Sequence, residues 1–589
     1  MKSFLKYTLA TITGIIISTF LFTVIGLGIL GAMMAASDKP VSIEGNSILH
    51  LRINQDIPDR TPLSPFQLDP ITWNISNRIG LNDILENLDK AKNDPNIEGV
   101  FIEAGFLTPG ISTLEEVRNA LLDFKSSGKF VMAYANEVMP QSFYYLATVA
   151  DQIYLNPVAL FEFVGLRSEV MFYKGAFDKL GIDMQIIRHG AFKSAVEPYI
   201  RKDMSSESRA QLQAYVQSVW DHMLSEISES RSISIDELNQ IADQLAIRLP
   251  GDAMESGLVD GIKYRDEVID ELKERTGIDR DKSLKLVGMS KYSKVPMPRD
   301  GKGLAKNKIA VVYASGIIGF GDGSENAIGG NTFVKAFRAV RKDSMIKAIV
   351  LRINSPGGSA MVSEHIWREI KLASETKPLI VSMGNLAASG GYYIAAPADV
   401  IVSQPTTLTG SIGVLATIPN LEELMNEKLG LTFDVVKTNE YSDLGSLYRP
   451  LKPAEKAFLV SSIENTYEMF LNRVSEGRDL EKSYVDEVAQ GRIWSGLAAR
   501  EIGLVDEIGG LQTAVKIAAE KSHIDDFRTV EYPKFEDPFE KILKSLSGDV
   551  LERYRMKTLG RYYQYFKEVE DLAQTEGIQA RLPFHLEIY

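Results

Sequence analysis

Cysteine is absent from all 589 residues. That excludes disulfides, thiolate zinc sites, iron–sulfur clusters and a cysteine nucleophile, so a nucleophile must be oxygen or nitrogen. It says nothing about location, since cysteine-free chains are tolerated in oxidising and reducing compartments alike. Histidine is scarce. The six, at positions 50, 189, 222, 365, 523 and 585, never fall in an H-x-x-x-H or H-E-x-x-H spacing, which speaks against a zinc hydrolase. Positive charge is in deficit: 65 Lys and Arg against 78 Asp and Glu give a net charge of −13, and no long basic run follows residue 39. Affinity for phosphate backbones needs clustered cations, so nucleic acid is not an expected partner. The bulk composition, 45% hydrophobic and 24% charged, is that of an ordinary globular chain. Length alone allows about three to five domains.

One long uncharged run is present. Residues 7–37 carry no charge, and Lys2 and Lys6 precede them. A bilayer needs about 20 apolar residues, and the apolar core of a cleaved signal peptide is only about 7–15 residues long. The run therefore reads as an uncleaved transmembrane helix over 7–37. By the positive-inside rule, residues 1–6 stay in the cytoplasm and the rest is exported as a single-pass, membrane-tethered body.

The body contains an internal repeat. At an offset of 248, residues 129–165 align without a gap on 377–413, and ten of 37 positions are identical, among them Lys129, Tyr144, Asp151 and Pro157. Both copies close alike, with G-L-V-D at 257–260 and again at 503–506. The expected organisation is a first repeat over 45–291, a Pro/Gly/Lys-rich linker over 292–308, a second repeat over 309–530, and a charged tail over 531–589, helix-like around 538–573 and read as a packing or oligomerisation arm. In the second repeat the runs 308–314, 348–353, 378–383 and 400–404 are short, β-branched and continuous, as strands buried on both faces should be. Amphipathic stretches such as 361–373 lie between them. The fold class is therefore α/β, with βαβ crossovers and a mostly parallel sheet in each repeat.

Two motifs could carry chemistry. N-S-P-G-G-S at 354–359 joins a strand to a helix, and its glycine N–H groups suit an oxyanion, although an ordinary turn fits the same residues. Neither G-x-G-x-x-G nor a Walker Gly-Lys-Ser/Thr is present, which disfavours a phosphate loop. A-A-S-G-G-Y-Y at 387–393 again opens a helix. Its small residues leave the Ser389 hydroxyl accessible, as a nucleophile requires, while the plain alternative is a helix N-cap serine. The repeat tips the balance: Gln141 stands at the Ser389 position in the first copy, and Ser142 and Phe143 replace the two glycines. The scaffold does not need this serine.

These motifs, with T-G-S-I-G at 409–413 and K-S-A-V-E-P-Y at 193–199, resemble the bacterial signal peptide peptidase family in its long, two-repeat form, also called protease IV. The resemblance runs from about residue 45 to about 525 and includes the anchor. It implies two Clp protease/crotonase-like βαβ domains in tandem, a Ser/Lys dyad, and no metal or organic cofactor. Position by position it makes Ser389 the nucleophile, Lys193 the general base and then acid, Ser411 a hydroxyl that orients the lysine, and the N–H groups of Gly358 and Gly390 the oxyanion hole. Phe163 replaces Ser411 in the first copy. The expected substrates are cleaved signal peptides and other apolar peptides. The expected partners are the membrane and further copies in a homo-tetramer, with the catalytic body on the periplasmic side of the inner membrane.

A lysine base makes a physical demand. Its ordinary pKa of about 10.4 leaves it protonated at pH 7, so Lys193 must be desolvated to take a proton from Ser389. Phe192, Ala195, Val196 and Tyr199 suit such a pocket. The competing reading is a surface lysine paired with Glu197. At the level of function, the alternatives are a non-catalytic membrane scaffold or peptide-binding module, a crotonase-like acyl-thioester enzyme, and a Ser/His hydrolase using His189 or His365.

Overall fold

The computed structural model describes residues 6–8, 10–22, 25, 41–62, 67–68, 75–76, 78–106, 109–296, 305–324, 326–534 and 578–581. Residues 10–22 are helical; most of the expected anchor beyond them, and 535–577 of the tail, lie outside the described residues. Among the described residues no helix is long and apolar enough to cross a membrane.

The two copies build the same sheet twice. In the first, the strands run in the order Gly261–Ile262, Gln152–Leu155, Phe130–Ala135, Ile97–Ala104, Ser47–Ile53 and Leu286–Gly288, all parallel. In the second, the equivalent order is Glu507–Ile508, Val400–Ser403, Leu379–Ala388, Ile346–Ser355, Asn307–Ser315 and Phe527–Tyr532, again parallel. The protein is thus a two-repeat α/β fold. The continuous apolar runs follow from burial on both faces: along Asn307–Ser315, Ile309, Val311 and Tyr313 pack into one core while Ala310, Val312 and Ala314 pack into another. Successive strand residues point to opposite faces, so both sets must be apolar.

Several repeat identities have structural reasons. Lys129 Nζ donates to the carbonyls of Ala91 and Asp94, and Lys377 Nζ to those of Val340 and Asp343, all at 2.6 Å. Tyr144 and Tyr392 donate to Leu258 O and Leu504 O at 2.8 and 2.7 Å, tying each helix to its G-L-V-D turn. Asp151 and Asp399 accept from Val131 N and Leu379 N. These bonds preserve the scaffold, and none involves Ser389.

Two features bind the repeats together. Asp183–His189 of the first repeat pairs antiparallel with Val414–Asn420 of the second, over seven facing residue pairs from Val414↔His189 to Asn420↔Asp183. Arg352, fully buried on the strand leading to 354–359, holds Asp59 Oδ1 and Glu116 Oε1 of the first repeat, each at 2.7 Å. Glu116 also accepts from Leu511 N at 2.6 Å. Burial pushes the Glu116 carboxyl up, and the Arg352 guanidinium opposes that push.

Candidate active site

Asp183–His189 ends four residues before Lys193, and its pairing with Val414–Asn420 delivers that lysine to the second repeat. The loop after the strand is gripped from both sides. Phe192 N donates to Gln490 O at 2.9 Å, and Gln211, on the helix Ser206–Arg231, donates to Phe192 O and Ser194 Oγ while accepting from Ile493 N at 3.1 Å. Gly491 closes the slot. With φ at +79°, it lies so near that a Cβ there would come within 2.6 Å of Lys193 Cβ.

Lys193 is wholly buried, and its Nζ lies 2.9 Å from Ser389 Oγ, 2.9 Å from Ser411 O and 3.0 Å from Ser411 Oγ. The contacts form within one chain. Burial disfavours the charged amine and brings its pKa down to about 7. Ala195 and Val196 pack with Leu415 beside it, whereas Tyr199 stacks on Tyr173 and Phe177. Glu197 does not pair with the lysine; it accepts from Ser205 N and Oγ at 3.0 and 2.6 Å.

Ser389 sits at the junction of the strand Leu379–Ala388 and the helix Gly390–Ala395, with φ 55° and ψ −117°. Such a conformation costs a non-glycine residue on the order of 1–3 kcal/mol and persists only where its surroundings fix it. Here Ser389 N donates to Gly410 O, and Ser389 O accepts from Tyr393 N, both at 2.8 Å. The hydroxyl makes no N-cap bond, which leaves it to the lysine. Ser411 is held similarly, at φ 50°, by a 2.6 Å bond from its N–H to Arg492 O.

Gly357 and Gly358, both at positive φ, run beside the start of that helix. A Cβ on Gly357 would lie 2.6 Å from Gly390 N, and one on Gly358 would lie 2.1 Å from Ile318 O, so only glycine allows this approach. The arrangement can do acid–base work: a neutral Lys193 would donate two N–H groups to Ser411 and offer its lone pair to the Ser389 proton. The histidines stand apart, His189 stacked on Tyr467 at 4.0 Å between ring centroids and His365 exposed.

In the first repeat the matching space is filled. Gln141 bonds to Gly165 O at 2.7 Å and accepts from Gly165 N and Val164 N, while Phe163 packs against Tyr144 and Trp220. Sequence reasoning missed Gln211, Gln490 and Gly491. The last carries a usable signal, a glycine beside glutamine just before the strand Ile493–Ser495, but its partner is 298 residues away.

Residues 123–279 and 371–525 each match the sequence profile of peptidase family S49. The chain is 34% identical over 519 residues to a chloroplastic serine protease SPPA of Arabidopsis thaliana, covering 87% of this chain and 76% of that one. It is 36% identical over 453 residues to protease 4 of Haemophilus influenzae, covering 75% and 73%, and 34% identical over 481 residues to protease 4 of Salmonella typhi, covering 80% and 76%.

Proposed function

The chain belongs to peptidase family S49, and from that premise we propose that it is a membrane-anchored serine endopeptidase that uses a Ser389/Lys193 dyad against signal-peptide remnants and other apolar peptides. The observation that carries this reading is the 2.9 Å approach of Lys193 Nζ to Ser389 Oγ in a buried setting that lowers the lysine pKa to about 7. Neutral Lys193 takes the Ser389 proton as Oγ attacks the peptide carbonyl. The oxyanion rests on the N–H groups of Gly358 and Gly390, and the resulting ammonium protonates the leaving amine. Ser411 holds the lysine in line throughout. Water then attacks the acyl-enzyme, with Lys193 again the base.

The uncharged run 7–37 supports the anchor, and the two preceding lysines support an exported body. An anchored peptidase meets the apolar remnants that stay in the bilayer after processing. For assembly as a homo-tetramer, support comes from an exposed apolar run, Leu429, Leu431, Phe433 and Val436, since contiguous exposed apolar surface marks interfaces.

The test is hydrolysis of an apolar fluorogenic peptide by the full chain, by Ser389→Ala and by Lys193→Ala, each shown folded by circular dichroism. Both substitutions are expected to lower kcat by on the order of 10⁴–10⁶-fold. Undiminished turnover by either would reject the dyad. Membrane recovery of the full chain, and its loss on deletion of residues 1–37, tests the anchor.

A further inference from the structure

One helix of the first repeat turns a stripe of polar side chains toward the second. Along Ser206–Arg231, Gln211, Tyr215, Ser218 and His222 stand three or four residues apart, a spacing that puts them on one face. Tyr215 Oη donates to Thr406 O at 3.0 Å, and Ser218 Oγ and Ser495 Oγ share a 2.8 Å bond. His222 Nε2 lies 2.9 Å from Glu115 Oε1, and the other oxygen of Glu115 accepts from Thr406 Oγ1 at 3.3 Å. These three residues tie the helix to the scaffold. Gln211, 1% exposed, instead reaches the loop that carries the lysine.

The Gln211 amide uses both of its hydrogens and its oxygen. Nε2 donates to Phe192 O at 3.0 Å and to Ser194 Oγ at 2.9 Å, on the residues either side of Lys193, while Oε1 accepts from Ile493 N at 3.1 Å. A carbonyl can only accept and a backbone N–H can only donate, so the amide has one orientation here. Ile493 pairs with Gly410, and the next residues, Arg492 and Ser411, share the 2.6 Å bond from Ser411 N to Arg492 O. One carboxamide thus spans from the lysine loop to the strand pair that holds Ser411. A lysine stem is flexible along its four carbons, so Nζ keeps a fixed place only if the backbone beneath it is fixed. The backbone bonds of Lys193 itself are long, 3.3 Å from its N–H to Gly190 O and 3.2 Å from Arg188 Nη1 to its carbonyl. Phe192 and Ser194 take the tighter grip.

We propose that Gln211 is a positioning residue for the general base: by holding Phe192 and Ser194 it sets where Lys193 Nζ stands relative to Ser389 and Ser411. The inference rests on the reading of Lys193 and Ser389 as a catalytic dyad. Gln211 touches none of the reacting atoms and acts through the lysine. Its two ends can be separated chemically. Gln211→Glu keeps an acceptor for Ile493 N but sets a carboxylate oxygen against Phe192 O, where two acceptors repel. Gln211→Met keeps the volume and loses all three bonds. Both variants release the lysine loop.

Steady-state kinetics of the full chain on an apolar fluorogenic peptide, followed across the acid limb of the pH profile, tests this for wild type, Gln211→Met, Gln211→Glu and Ser218→Ala, each shown folded by circular dichroism. Both Gln211 variants are expected to lower kcat by on the order of 100-fold with KM little changed. They should also move the acid limb of kcat/KM upward by about one pH unit, because an amine that leaves its slot takes up water and regains basicity. Ser218→Ala loosens the same helix from the same strand, away from the lysine, and should keep the wild-type kcat and limb. Gln211→Glu, nearly equal in volume, decides alone where Gln211→Met fails to fold. Wild-type kcat in Gln211→Glu overturns the inference. A loss carried by KM, or an acid limb that stays in place, overturns it equally, Gln211 then being a packing residue. So does a Ser218→Ala limb that moves as far as that of Gln211→Met. Each of those results leaves the peptidase reading standing when wild-type hydrolysis is lost in Ser389→Ala; hydrolysis that survives Ser389→Ala rejects that reading and the inference with it.

Discussion

Lys193 Nζ and Ser389 Oγ stand 2.9 Å apart although 196 residues separate them in the chain. Each comes from a different copy of one ancestral domain. The first copy supplies the amine and has filled its own serine position with Gln141; the second supplies the hydroxyl. A duplicated fold thus carries the amine and the hydroxyl on different halves, and the strand pairing of Asp183–His189 with Val414–Asn420 brings them together.

The pH profile follows from the buried amine. Only neutral Lys193 can accept the Ser389 proton, and its pKa stands at about 7. The kcat/KM for an apolar peptide is expected to rise about tenfold per pH unit below pH 7 and to level off above it. A profile still rising at pH 9 would mean that the lysine keeps its ordinary basicity.

Stability should move the other way when the lysine is removed. The unfolded chain holds the Lys193 proton up to its ordinary pKa near 10.5, whereas the folded chain releases it near 7. Between those values the unfolded state binds more protons, so the group opposes folding most strongly at and below about pH 7, and the penalty fades toward pH 10.5. Lys193→Met is expected to abolish peptide hydrolysis yet stabilise the fold at pH 7 by on the order of 2–4 kcal/mol. Urea unfolding at pH 7 and pH 10 measures this, with the smaller gain at pH 10.

Gly491 lies close against the lysine. A methyl group there meets Lys193 Cβ at 2.6 Å and its backbone at 2.7 Å, at a φ of +79°. Gly491→Ala should displace the amine and lower kcat by on the order of 100-fold with KM little changed. Steady-state kinetics on the folded variant decides it, and wild-type kcat would remove the slot from the account.

Arg352 joins the repeats through Asp59 and Glu116. Arg352→Met leaves two buried carboxylates without a cation and is expected to cost about 3–5 kcal/mol in urea unfolding. Adding Asp59→Asn and Glu116→Gln should recover part of that loss, because the uncompensated charges are then gone.

Much of this was legible in the sequence, for identifiable reasons. The strands Ile346–Ser355 and Leu379–Ala388 announce themselves as continuous β-branched runs because both their faces are buried. Ser389 stands out because the first copy lacks it. Lys193 could be named only through the family resemblance, since Gly413 and Gly491, which lie against it, belong to the other repeat and leave no local pattern around the lysine. The grip of Gln490 on Phe192 is a backbone bond, which any residue type could make. Gln579–Arg581 is three residues long, too short for any periodicity to mark it as a strand.

The dyad is tested most directly by trapping its intermediate. The enzyme is mixed with an apolar peptide p-nitrophenyl ester and quenched in acid, and the acyl group is located by mass spectrometry, with its rate of formation followed in parallel for Lys193→Ala. The acyl group is expected on Ser389, formed at a rate lower by on the order of 10⁴-fold in the lysine variant. An acyl group on any other residue, or an unchanged rate without Lys193, would contradict it.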